Sequence, residues 1–431
     1  MTALNDEINQ TCRWLCQQQQ EDGGWGEQGG RYTNDFNTAE AILGLIESGD
    51  ANFGPGSEPV SDGVEFLLGR QCAEGTDRGC WYREIMAGAG KQERIPDTCR
   101  TAVALEALIR SGLPPSHEGV GSAINWLMRV RNNDAGWAFG VGGPTALIPT
   151  IRAVAALVEA KVAGWSDDTG VISASTEYLT AQQAPNGAFG SESNLRPAHT
   201  VSSVLLLQKI RLRGLPTVAD VEGRGLVWLR QHPDPSLRPG EEAFELDPAR
   251  RRARYYYVHA TDALVARAFA NSAQKEDLEL QLFRDSLTKL KDRMDGEGGF
   301  FGYRTYSWAS AQALSAMRQT ANAGLNAFPV RQPEAKEIAI TAYPTRDATL
   351  YRRPWTPRMV LGLLVMCALC ISLPTILAGL LAGPILAVIT LIVSIVILAF
   401  VLAILGVLSG GQFTRVIDAV AGRIPGVGPR S

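Results

Sequence analysis

One unit recurs between about residues 8 and 318 of this chain: an amphipathic segment, a Gly-aromatic turn, and a second apolar segment that opens on Thr or Ser. In the first copy Trp14-Leu15 leads to Gln19-Gln20-Glu21-Asp22-Gly23-Gly24-Trp25-Gly26 and then to Thr38-Ala39-Glu40-Ala41-Ile42-Leu43-Gly44-Leu45. The fourth copy reads Tyr178-Leu179, then Gln183-Ala184-Pro185-Asn186-Gly187-Ala188-Phe189-Gly190, with Thr200 ahead of Val201 to Leu207. Similar units carry Gly79-Cys80-Trp81 with Thr101, Gly136-Trp137 with Thr150, and Gly298-Gly299-Phe300 with Ser310. A degenerate fifth begins at Val227-Trp228-Leu229 and reaches Thr261 without the Gly-aromatic turn. The Thr or Ser positions, 38, 101, 150, 200, 261 and 310, therefore mark six helical hairpins.

Each part of the unit has a physical reason. Gly supplies the positive φ that reverses the chain, and Asp or Asn bonds its own turn backbone. The aromatic fills the gap between neighbouring hairpins. Thr or Ser is expected as the N-cap of a second helix whose Ala- and Leu-rich sequence buries against two neighbours. Such hairpins cannot bury their apolar faces alone and must stack.

The Gln19–Trp25 and Gln183–Phe189 runs resemble the repeats shared by squalene–hopene cyclases and protein prenyltransferase beta subunits. The resemblance implies an all-α fold, a six-hairpin (α/α)6 toroid over residues 1–318 whose inner helices surround a central cavity, in one ring where triterpene cyclases have two. An open α-solenoid is the architectural alternative.

The resemblance also says which chemistry to look for. Squalene–hopene-type cyclases place an Asp-x-Asp-Asp run before the Thr of one inner helix, to protonate an alkene. Here Asn34-Asp35-Phe36-Asn37 precedes Thr38 and Asp97-Thr98-Cys99-Arg100 precedes Thr101, and no copy reproduces the acid cluster. Cyclisation started by protonation is not expected, and Asp97 and Asp35 stand as the remaining candidate acids. Asp97-x-Cys99 resembles the zinc pair of prenyltransferase beta subunits, and His199, directly before Thr200, stands where that family's third ligand precedes its helix. Carboxylate, thiolate and imidazole suit Zn²⁺ with one open position. In that family the ligands come from neighbouring hairpins, whereas this His lies two repeats on; Asp97 as a cap and Cys99 as a core residue is the other reading.

Trp81, Tyr82, Trp137, Tyr257, His259, Phe301, Tyr306 and Trp308 lie near the turns and inner-helix starts and are the candidates to line a ligand cavity, with packing between repeats as their alternative. An aromatic lining would hold an isoprenoid chain or, by cation–π attraction, a carbocation. The basic run Arg250-Arg251-Arg252-Ala253-Arg254 follows an acidic loop, Glu241-Glu242-Ala243-Phe244-Glu245. It would meet a diphosphate or lipid headgroups, or pair its charges with that loop.

From Met359 to Leu408 the chain has no Asp, Glu, Lys, Arg, His, Asn or Gln. That length is too long for one membrane span and fits two, at 359–377 and 385–408, with Pro374, Gly379, Gly383 and Pro384 near the turn. Arg352, Arg353 and Arg358 before the entry and Arg415, Arg423 and Arg430 in the tail at 409–431 place both ends in the cytosol. The start of the chain, Met1-Thr2-Ala3-Leu4-Asn5-Asp6-Glu7, has no signal-peptide pattern, so the expected protein is two-pass, with its large domain cytoplasmic. Residues 319–358, rich in Pro, form a semi-rigid linker.

With 41 Lys and Arg against 44 Asp and Glu there is no nucleic-acid footprint, and seven scattered Cys argue against a disulfide framework. Three functions fit: a membrane-coupled module binding an isoprenoid, lipid or peptide, with a homo-oligomer or protein partner; an isoprenoid-processing enzyme, prenyl transfer ahead of cyclisation; and a defence or toxin effector whose hairpin perturbs the membrane.

Overall fold

A computed structural model describes residues 4–329 apart from 27–31, 88–90, 191–194, 217–218, 233–239, 246–253, 273–274, 296 and 301–306. The expected membrane hairpin, the tail and most of the linker lie outside the described residues. Among the described residues no helix is long and apolar enough to cross a membrane.

Twelve α-helices follow one another in the described residues: α1 (Leu4–Gln18), α2 (Asp35–Glu47), α3 (Glu58–Arg70), α4 (Thr98–Arg110), α5 (Glu118–Val130), α6 (Leu147–Val162), α7 (Val171–Ala181), α8 (Arg196–Leu212), α9 (Ala219–Gln231), α10 (Thr261–Ala270), α11 (Gln281–Arg293) and α12 (Ser307–Asn322). The even helices form an inner ring. Each packs on the even helix before and after it, and α12 packs back on α2, so the ring closes and the open solenoid is excluded. α12 runs to Asn322, past residue 319 where the linker was expected to begin.

The packing pairs differ from the sequence unit. Each odd helix lies against the inner helix that precedes it, α3 on α2 through α11 on α10, and α1 is received by α12. The inner-to-outer connections are short, as at Ser111–His117, and fold each helix back on its predecessor. The longer Gly-aromatic segments instead carry the chain to the next position in the ring. Closure joins the two ends of this domain: the Leu4 amide donates to the Asn326 carbonyl at 2.8 Å, and Lys291 pairs with Glu7.

The recurrent Thr is not the cap. Asn34 and Asp97 cap α2 and α4, accepting from the amides of Asn37 and Arg100 at 2.9 and 3.1 Å. Thr38, Thr101, Thr150, Thr200 and Ser310 sit about one turn inside their helices, where the hydroxyl accepts the backbone N–H of the turn aromatic, Trp25, Trp81, Trp137, Phe189 or Phe300, at 2.9–3.0 Å. Thr38 and Thr150 pass the bond on by donating to the carbonyls of Asn34 and Ala146. The three indoles donate in turn to the carbonyls of Leu15, Leu67 and Leu127 on the outer helices, at 2.7–2.9 Å. The repeat is therefore a hydrogen-bonded clamp between turn, inner helix and outer helix. Its fifth copy is broken: without the aromatic turn, the Thr261 hydroxyl is buried with no partner.

Two antiparallel β-hairpins interrupt the helical pattern, which the all-α expectation did not include. β1 (Tyr82–Ala87) pairs with β2 (Lys91–Pro96), and β3 (Gly240–Glu245) with β4 (Arg254–His259). The acidic stretch expected as a loop is strand β3, in register with β4 as Glu245↔Arg254 and Glu242↔Tyr257. Because β4 occupies the approach to α10, that helix starts on Thr261 itself and is the shortest of the inner ring.

Candidate functional site

The inner helices and β4 line a cavity of about 530 Å³. A helix turns about 100° per residue, so positions two and nine after the recurrent Thr lie about 180–200° from it, on the face turned to the ring axis. Those positions set two charged layers.

In the upper layer Glu40 of α2 joins Arg152 of α6, whose Nη2 donates to its carboxylate at 2.8 Å, and Gln312 of α12, whose amide donates to the other oxygen. Arg152 also donates to the Tyr257 hydroxyl from Nε and Nη2, at 3.0 and 2.8 Å, tying β4 to α6. Burial pushes the Tyr257 phenol up, though Arg152 opposes it, so the phenol is neutral. Beside it lie Phe36 and Phe139, with ring centroids 6.3 Å from Tyr257, and His259 at 4.9 Å.

In the lower layer, nine residues after the Thr, stand Glu47, Arg110, Glu159 and Lys209, alternating in sign around four successive inner helices. Lys209 reaches Glu159 at 3.0 Å and Glu106 at 2.5 Å, and Arg110 reaches Glu47 at 3.4 Å and Glu159 at 4.0 Å. Burial would raise the Glu47 carboxyl, but Arg267, Arg110 and the Ser315 hydroxyl outweigh it and hold the group at about 2. Burial is likewise overcome at Glu159, which Lys209 and Arg110 hold below the usual carboxylate range. Between and above these layers the wall is apolar, with Ile148, Ile151, Leu205, Leu264 and Trp308.

Three sequence candidates line the cavity: Tyr257, His259 and Trp308. Trp81 and Trp137 do not. Both are fully buried clamp residues, because their indoles are drawn to outer-helix carbonyls. Tyr82 does not line the cavity either, its hydroxyl lying 3.1 Å from Cys72 Sγ and 3.3 Å from Asp77. Phe301 and Tyr306 lie outside the described residues.

The candidate acids also miss the cavity. Asp97 is fully buried, caps α4 and takes Arg83 Nε at 2.8 Å. Asp35 takes Arg70 Nε at 2.7 Å with Arg100 at 3.6 Å, and burial raises its carboxyl despite both arginines. The zinc expectation is corrected on the same ground. The Asp97 oxygens are taken by the cap and Arg83, Cys99 is buried in the core, and His199 packs its ring edge-on against His259 at 5.7 Å. Among the described residues no three His, Cys, Asp or Glu side chains are placed to hold a metal ion. The charged layers are what the residue-type search missed. Counting nine residues on from Thr38, Thr101, Thr150 and Thr200 finds the lower layer, and counting two on from Thr38, Thr150 and Ser310 finds the upper one.

A closed ring of helical pairs around an axial cavity makes the described chain an (α/α)6 toroid. The family description "Squalene-hopene cyclase C-terminal domain" matches residues 2–95. A squalene–hopene cyclase of Zymomonas mobilis is 35% identical over 94 aligned positions, which cover 19% of this chain and 13% of that enzyme. The chain thus spans a small part of the curated relative it matches. Among solved structures, a type II terpene cyclase from Scytonema in complex with geranylgeranyl dihydroxybenzoate superposes with a TM-score of 0.51 at 12% identity, covering 74% of this chain and 98% of that one. An α-1,6-mannanase from Salegentibacter sp. HEL1_6 also gives 0.51, at 10% identity over 74% and 99% of the two chains. A sugar epimerase from a ruminal bacterium gives 0.50 at 13% identity over 75% and 100%. A cyclase, a glycosidase and an epimerase share this shape, so the likeness carries fold and not chemistry.

Proposed function

We propose that the toroid is a binding and sensing module for an isoprenoid, lipid or peptide, coupled to a membrane hairpin at 359–408 that holds it on the cytosolic face. The observation that carries this reading is the cavity: an axial chamber of small-ligand size whose apolar wall lies beside two charged layers, into which neither Asp35 nor Asp97 reaches. Both acids at the positions a cyclase would use are spent on arginines. The geranylgeranyl group held by the Scytonema enzyme makes an isoprenoid the first ligand to test.

The test is to purify the full chain from membranes and analyse its organic extract by mass spectrometry. A stoichiometric hydrophobic compound is expected, and Leu205→Trp, which fills the cavity, should lose it. An empty wild-type chain would remove the binding reading. Membrane coupling is tested separately: the full chain should resist alkaline extraction from membranes, and a chain ending at residue 358 should not need detergent. Equal behaviour of the two would count against the hairpin.

A further inference from the structure

The cavity holds more positive charge than its carboxylates neutralise. Six cations line it, Arg110, Arg152, Lys209, Arg213, Arg267 and Arg318, against three carboxylates, Glu47, Glu106 and Glu159. Glu40 of the upper layer, which is not in that lining, takes Arg152 at 2.8 Å. Two positive charges are left over.

The excess is local. Lys209 and Arg213 share Glu159, and Arg110 sits between Glu47 and Glu159. Arg267 is 3.6 Å from Glu47 and donates to Gln312 at 2.8 Å, but its Nε is buried with no acceptor. Arg318, on the last turns of α12, lines the same end and makes no ion pair or hydrogen bond within the described residues. Its guanidinium lies over Gly49, where an added Cβ would stand 2.8 Å from a terminal nitrogen. Inner-helix C-termini meet at this end, and their carbonyls draw cations in any such ring. That attraction does not account for a guanidinium that donates to none of them.

Arg267 shares its one carboxylate, Glu47, with Arg110, and Arg318 has none; the planar donor fork of such guanidinium groups fits the oxygens of a phosphate. We propose that Arg267 and Arg318 form the head-group site for a phosphate ester whose hydrocarbon tail lies along the apolar wall toward Tyr257 and Trp308. This deepens the binding reading above and rests on it.

The experiment is calorimetric titration of the full chain, held in amphipol, with decyl phosphate, decanol and inorganic phosphate. Decyl phosphate should bind at least tenfold more tightly than decanol, and the preference should weaken with salt. Arg318→Gln should remove the preference, with a thermal melt to show that the variant is folded. Arg78→Gln, an exposed cation outside the cavity, should keep it. Equal affinity for decyl phosphate and decanol overturns the head-group site and leaves the apolar cavity reading standing. Binding of neither amphiphile overturns both. Inorganic phosphate binding as tightly as decyl phosphate keeps an anion site but overturns the tailed ligand.

Discussion

At the residue scale, one hydroxyl does the structural task that the repeat pattern marks. Thr150 accepts the Trp137 amide at 2.9 Å, with both groups buried, and donates to Ala146 at 2.7 Å. Thr150→Val should leave that amide unpaired and lower stability by about 1–3 kcal/mol in denaturant unfolding. Thr261→Val, whose hydroxyl already has no partner, should be neutral or stabilising. Equal losses at the two sites would contradict the clamp. The turn itself supplies a second test. Two residues before the aromatic, Gly23, Gly79, Gly187 and Gly298 all have φ between +79° and +101°, but the third copy has Ala135 at φ +71°. The glycine expectation holds at four turns, and the exception strains an L-residue. Ala135→Gly should raise stability by up to about 1 kcal/mol, read by the same unfolding curves.

At the element scale, ring closure depends on how near α2 and α12 can come. Gly44 lets them meet: a Cβ there would lie 2.7 Å from Ala311 Cβ and 2.8 Å from its Cα. Gly44→Val should separate the two helices and cost about 1–3 kcal/mol, although Val outranks Gly in helix propensity. Gly69, in α3 with open space around its Cα, is the control, and Gly69→Ala should stabilise by about 0.5–1 kcal/mol. A harmless Gly44→Val would mean that closure tolerates a wider gap. The sequence named the hairpins correctly but paired them across the wrong connection. The turn motif and the inner Thr are joined by hydrogen bonds, which a local pattern reports. Which outer helix covers which inner one is decided by the short connection after the inner helix, which carries no motif.

At the scale of the whole molecule, the lower charged layer links α2, α4, α6, α8 and α10 around one axis, and its pH dependence has a definite sign. The Glu47 carboxyl lies at about 2 in the fold against a usual 4.5. Its contribution is therefore complete above about 4.5 and is lost as pH falls toward about 2. Glu47→Gln should be less stable than the parent at neutral pH, with the gap closing over that acid range. A gap that stays constant in unfolding experiments from pH 7 to 3 would place the layer's stabilisation elsewhere.

The sequence by itself determined the number of hairpins, the positions of the turns and the apolar run at 359–408, because each rests on local spacing or composition. It also carried three of the cavity residues, Tyr257, His259 and Trp308. Tertiary structure alone decided that α1 is completed by α12, that Trp81 and Trp137 face carbonyls rather than the cavity, and that Asp97 and Asp35 are spent on Arg83 and Arg70. It decided, too, that Glu47, Arg110, Glu159 and Lys209 share one level. The reason is physical: each partner stands on another element, from 10 residues away for Trp137 and Leu127 to 63 for Arg110 and Glu47, and only packing of the elements brings the two within reach.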